Sequence, residues 1–196
     1  MSRRFAGFFL RYLAPSSDMG RESRWRKHLG AADKAEKRRD RRQVEASLLA
    51  AHEVSREFGE DDLRYVFSIE QLADYYENAS DYIQSEKFYQ EAIRRRMEIQ
   101  GPDHFDLGRT MNDLAVLHYA QGKFEEAVPL YKSVLRIVEK TRGPEDREVP
   151  VLLGNLAAVM RKLERDDESD RLLERANAIR RKRKEQKSAL AQARAR

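Results

Sequence analysis

The sequence predicts an all-α fold, an α-solenoid of stacked antiparallel helix pairs, and three observations carry that prediction. Gly59, Gly101 and Gly143 fall 42 residues apart, and their surroundings return with them. Leu72-Ala73, Leu114-Ala115 and Leu156-Ala157 recur in register, followed by Tyr82, Phe124 and Asp166, by Ser85, Ala127 and Ser169, and by Ala92, Val134 and Ala176. A period of this size marks units that stack because none buries its apolar face alone. Composition agrees: of 196 residues 37% are charged and 40% apolar, with only 9 Gly and 5 Pro, a mixture that favours helices. Within the central repeat, Leu107, Met111, Leu114, Ala115 and His118 lie on one helix face, and Phe124, Ala127, Val128, Tyr131, Val134, Leu135 and Val138 on a second.

Residues 1 to 33 form a basic N-terminal segment, read as partly disordered or docking. Arg3 and Arg4, with Phe5, Phe8, Phe9, Tyr12 and Leu13 at helical spacing before Pro15, describe a short amphipathic helix suited to a membrane surface, a partner or a mitochondrial presequence. From 34 to 58 a capping helix is expected, aligned by the 42-residue offset so that Ala50 stands above Ala92. Three helix pairs follow over 59 to 180, and a basic helical extension over 181 to 196. Ala73, Ala115 and Ala157 fall where the paired helices approach closely. Gly122 suits the left-handed turn within the central pair. Its counterparts Ser80 and Glu164 suit it less, so the outer pairs are expected to turn less sharply or less stably. Pro129 is expected to kink its helix mildly without breaking it.

Charge is segregated. Residues 1 to 42 carry a net +8, residues 171 to 196 another +8, and the stretch between them −11. Cysteine is absent, which removes disulfides and thiolate metal sites. No apolar run approaches the ~20 residues that span a bilayer. The expected placement is intracellular, cytoplasmic by default with the mitochondrion as runner-up.

The stretch Met111-Asn112-Asp113-Leu114-Ala115-Val116-Leu117, through Gln121-Gly122-Lys123-Phe124-Glu125-Glu126-Ala127 to Pro129-Leu130-Tyr131-Lys132, resembles tetratricopeptide repeats (TPRs). Gly101-Pro102-Asp103-His104 with Asp106 is similar to the inter-repeat loop of the 42-residue kind found in kinesin light chain. The resemblance covers about 59 to 180. It implies a right-handed superhelix whose concave groove, lined by the first helix of each pair, binds a peptide or helix of a protein partner. Carried over by position, the groove residues are Phe67, Glu70, Gln71 and Asp74, then Arg109, Asn112, Asp113, Val116 and Tyr119, then Val151, Asn155, Ala158 and Arg161. Gln71, Asp113 and Asn155 share the position where an amide bonds the ligand backbone. Glu70, Asp74 and Glu77 imply that one end favours a basic or neutral segment. The family's carboxylate clamp is not expected, because Glu70, Asn112 and Gly154, and Asp74, Val116 and Ala158, occupy its positions.

No phosphate-cradling loop, dinucleotide fingerprint or metalloprotease motif is present, and His28, His52, His104 and His118 never pair at ligand spacing. A non-enzyme without metal or cofactor is expected. His118 reads as a core or rim residue and His104 as part of the loop. Asp61-Asp62 and Asp166-Asp167 read as helix-capping acids. Arg180, Arg181, Lys182, Arg183 and Lys184 form a polyanion-binding candidate, with a solvated helical extension as the competing reading. Three functions follow: a protein-binding adaptor or assembly subunit of a larger complex, an RNA- or ribonucleoprotein-associated protein using its basic arms, and a membrane-peripheral assembly factor anchored through residues 3 to 13.

Overall fold

A computed structural model of the chain describes residues 18–194. The expectations for the amphipathic segment around residues 3 to 13 lie outside these residues. The chain forms two compact units, one ending at Ile99 and the other beginning at Gln100. Every regular element among the described residues is a helix, and none is long and apolar enough to cross a membrane.

The first unit contains α1 (Met19–Lys37), α2 (Arg41–Arg56), α3 (Leu63–Asn78) and α4 (Tyr82–Gln100). Its opening corrects the expectation of a single capping helix from 34 to 58. The chain breaks at Arg38–Asp40, and α1 folds back on α2 as a helix pair of its own. Trp25 drives this, being fully buried among Leu29, Ala32, Leu48, Ala51, Val54, Phe67 and Leu72. Its indole Nε1 donates to Ser68 Oγ at 2.8 Å, so a large apolar group is buried with its one polar atom satisfied. At the same end Arg64 bridges Glu22 of α1 (2.8 Å) and Asp62 (2.5 Å) while its guanidinium lies 4.0 Å over the Phe58 ring. The bond to Asp62 leads in holding the charge on Arg64, raising its pKa against the opposing effect of burial.

The expected register was also one residue off, because Ala51, not Ala50, is the fully buried counterpart of Ala92. One residue fewer separates Ala51 from Gly59 than separates Ala92 from Gly101, so counting back 42 from the later repeats misses it.

The second unit contains α5 (Phe105–Ala120), α6 (Phe124–Arg142), α7 (Val149–Lys162) and α8 (Asp166–Arg194). Ala115, Ala127, Tyr131, Leu156, Val159 and Met160 form one apolar cluster, and Val134, Val138, Val149, Leu152, Leu153, Ala176 and Ile179 another. α6 continues unbroken through the exposed Pro129. Past Ile179, none of the residues of α8 up to Gln192 is buried.

Each of the four helix pairs closes on one residue in left-handed backbone: Arg39 (φ 60°), Ser80 (62°), Gly122 (74°) and Glu164 (58°). The following N–H reaches back to the same carbonyl position each time, Asp40 to Ala35, Asp81 to Tyr76, Lys123 to His118 and Arg165 to Met160, at 2.9–3.0 Å. The outer turns are therefore as tight as the central one, so the expected difference in sharpness is absent. What differs is strain, since a Cβ in this conformation costs about 1–2 kcal/mol. Between pairs, Gly59, Gly101 and Gly143 have φ of 102°, 84° and 94°, which explains why glycine recurs there. Asp62, His104 and Asp146 each accept an N–H two residues on, at 2.8, 3.2 and 2.8 Å; the first two cap the next helix, and Asp146 braces the turn just before it.

Two outcomes follow. Ala115→Leu should lower stability by about 1–3 kcal/mol, read from the denaturant midpoint, because Ala115 is fully buried where α5 meets its neighbours. Glu164→Gly should raise the midpoint by a few tenths to about 1 kcal/mol, strain relief exceeding the added freedom of the unfolded chain; an unchanged or lower midpoint would show that the turn is unstrained.

Candidate functional site

In the first unit the residues carried over by resemblance are consumed by the fold. Phe67 is buried, its ring edge-on to Trp25 with centroids 6.0 Å apart, because α1 covers the face of α3 expected to line a groove. Gln71 is buried as well. Glu70 accepts two hydrogen bonds from the buried Arg96 of α4, from Nε at 2.6 Å and Nη2 at 2.8 Å. The Tyr89 hydroxyl lies 2.6 Å from Asp74 and 2.9 Å from Glu77, sharing its hydrogen between them. These carboxylates thus also serve α4, by holding Arg96 and the Tyr89 hydroxyl. Each of the two groups served, Arg96 and Tyr89, is almost wholly removed from water, so the acids are needed where they stand.

The second unit is different. On α5, Leu107, Thr110, Leu114, Ala115, Leu117 and His118 face inward, which leaves Arg109, Asn112, Asp113 and Val116 as a half-exposed to exposed stripe. On α7, Leu152, Leu153, Leu156, Val159 and Met160 are buried, and the remaining face carries Val151, Asn155 and Ala158. Both helices contribute to the two apolar clusters of this unit, so the stripes lie on neighbouring helices. Val151 is 57% exposed and Val116 38%, unusual for aliphatic side chains on a packed helix. Tyr119 is drawn off the stripe against Phe124, ring centroids 5.4 Å apart. Arg161 is exposed and reaches Asp170 of α8 at 3.2 Å.

The basic run on α8 splits by role. Arg180 donates to the Pro150 carbonyl (3.0 Å) and to Asn177 (3.1 Å), and Arg183 to the Glu145 carbonyl (2.7 Å), fastening α8 to the α6–α7 loop and the start of α7. Lys182 pairs with the Glu145 carboxylate. Arg181 and Lys184 are exposed. Residue sequence alone did not show that Arg147 and Lys187 join this group around one cavity of about 320 Å³ with Pro150 and Val151.

The histidines take structural places. His104 caps α5 through Nδ1, and His118 is buried in the second unit. His52 packs against the Tyr65 ring (5.2 Å) and Phe88 (6.4 Å). Tyr131 and Tyr76 are pushed up to about 12, in each case chiefly by burial, so both hydroxyls stay protonated at neutral pH. Among the described residues, no group of three His, Asp or Glu side chains is placed to hold a metal ion.

Residues 65–140 and 121–182 match the sequence model of the tetratricopeptide repeat. The chain belongs to the tetratricopeptide repeat family. Human tetratricopeptide repeat protein 19, mitochondrial, is 33% identical over 93 residues, which are 47% of this chain and 24% of that protein. The aligned segment thus spans about a quarter of the relative's length. A crystal structure of kinesin light chain nearly identical TPR-like repeats from Podosopora anserina superposes with a TM-score of 0.72 at 18% identity, covering 85% of this chain and 80% of that one. Aspartyl phosphate phosphatase F from Bacillus subtilis gives 0.67 at 16% identity over 81% of this chain and 41% of its own. At such identities the likeness is one of fold. The α1–α2 pair of this TPR protein precedes the matched residues, and its alanines explain why it still belongs to the series: Ala32, Ala73, Ala115 and Ala157 are all buried, 41, 42 and 42 residues apart.

Burial, with Arg56 adding to it and Glu53 opposing it, holds the His52 imidazole below its ordinary value of 6.5. The unfolded chain therefore takes up this proton more readily than the folded one. The stability this residue contributes is complete above 6.5, declines as pH falls below it, and levels off once the folded imidazole also protonates. Denaturant midpoints at about pH 7.5 and about pH 5.5 should differ less in His52→Phe than in the parent chain; an equal difference would remove His52 as the cause.

Proposed function

We propose that this TPR protein is a non-catalytic scaffold that captures a segment of a protein partner on the α5–α7 face of its second unit, and that it works as an assembly factor or subunit of a larger complex. The observation that carries this reading is the chemistry of that face. Asn112 and Asn155 stand half-exposed beside Val116 and Val151 on neighbouring helices. An amide donates and accepts at once, so it can satisfy both polar groups of a ligand peptide unit. Aliphatic side chains beside it supply apolar area to bury, and rigid helices hold both in place before the ligand arrives, which reduces the ordering cost of binding. The corresponding residues of the first unit are engaged with α1 and α4.

The test is affinity capture from native lysate with the full chain and with Asn112→Ala/Asn155→Ala. The expected outcome is that proteins retained by the parent chain are lost from the double variant while helicity by circular dichroism is unchanged. The same proteins retained by both would remove this face as the binding site.

A further inference from the structure

The cavity between α7 and α8 stands apart from the asparagine stripe in its electrostatics. It is lined by Arg147, Arg180, Arg183, Lys184 and Lys187 around a floor of Pro150 and Val151, and no carboxylate is among its lining residues. Among the described residues, none of these five cations has an acid within ion-pair distance. Arg142, Arg161, Arg165, Arg175 and Lys182 in the same unit each hold a carboxylate.

Two of the five are also fixed in place. Arg180 and Arg183 spend part of their donor capacity on the Pro150 and Glu145 carbonyls, at 3.0 and 2.7 Å. Their guanidinium groups are thereby held at the rim with other N–H groups still to be used, the preorganisation that recognition of an anion requires. Lys184 follows Arg180 by four residues and Lys187 follows Arg183 by four, on the same side of α8, and Arg147 faces them from the turn before α7. Collecting like charges in one concavity opposes folding, and a bound anion relieves that opposition.

We infer that this cavity is a docking site for an acidic protein segment carrying an apolar side chain, the carboxylates meeting the five cations and the apolar group covering Val151. The floor decides between anions. Val151 is 57% exposed inside a cationic ring, and a phosphodiester backbone has nothing to bury there. Unpaired nucleic acid gains much of its affinity by stacking bases on aromatic rings, and none of the seven lining residues is aromatic. An acidic segment with an aliphatic or aromatic side chain uses both features, and charge steers its approach. The site shares Val151 with the face described above but neither Asn112 nor Asn155, so the double asparagine variant tells the two apart.

The experiment measures fluorescence anisotropy of the full chain with three probes of equal length, about 12 units each: a labelled peptide of repeated Glu-Glu-Leu triplets, the same peptide with Ser for Leu, and a single-stranded uridine RNA. The leucine peptide should bind most tightly and weaken as salt rises. Arg147→Gln/Lys184→Gln/Lys187→Gln should weaken it at least about tenfold, and these exposed side chains can be changed with helicity preserved. Val151→Ser should weaken the leucine peptide several-fold but not the serine peptide. Asn112→Ala/Asn155→Ala should bind it as the parent does. Binding unaffected by the triple substitution, indifference to Val151, or RNA bound more tightly than the leucine peptide would each overturn the proposal, the last in favour of a nucleic-acid site.

Discussion

The structure depends on the close crossing of two helices at small residues. Ala32, Ala73, Ala115 and Ala157 on the first helix of each pair are essentially inaccessible, as are Ala51, Ala92 and Ala176 on the second, with Val134 the largest residue in that series. How near the helices come is visible at Ser85, which is fully buried and donates across the crossing to the Ala73 carbonyl at 3.0 Å. Backbones this close admit only a short reversal. Each reversal accordingly turns on one left-handed residue and the same pair of backbone hydrogen bonds, whether that residue is glycine, serine, arginine or glutamate. Tertiary closure overrides local preference there, because the buried area gained by the crossing exceeds the strain at a single φ.

Around the crossings, charge follows a second logic. The first unit engages several of its ionisable groups internally: Arg64 joins Glu22 to Asp62 at one end, Glu70 holds Arg96, and Tyr76, pushed up to about 12 by burial and by its bond to Glu45, ties α3 to α2 at 2.9 Å. The second unit leaves groups of the same types for other uses. Its polar stripe on α5 and α7 and the cations around Val151 are held by rigid helices but are only partly occupied by the fold. The proposed sites fall where rigid helices present donors, acceptors and apolar area to the outside.

Much of the fold was legible in one dimension, since period and pattern are properties of neighbours along the chain. The 42-residue return of glycine reports a backbone conformation, and the returning alanines report a crossing. The α1–α2 pair is hidden because no glycine stands one period before Gly59, where the sequence has Ser17 and Asp18, and because a one-residue deletion before Gly59 shifts Ala51 out of the 42-residue register. A search at 41 residues, anchored on Ala32 and on the single tryptophan, would have found it. The site was less legible. Gln71 and Phe67 have the residue types that the resemblance implies for a groove, but both are buried, Phe67 against Trp25 of α1.

By itself the sequence determined the helical class, the repeat, the positions of close approach and the segregation of charge, because each follows from residue type and local spacing. Only the tertiary structure decided which charges cancel. Glu70 and Arg96 are 26 residues apart in the chain and 2.6 Å apart in space, and Arg147 meets Lys184 and Lys187 around one cavity only after α8 has folded back over α7. Electrostatic energy depends on distance and on burial, and neither can be read from a linear order of residues.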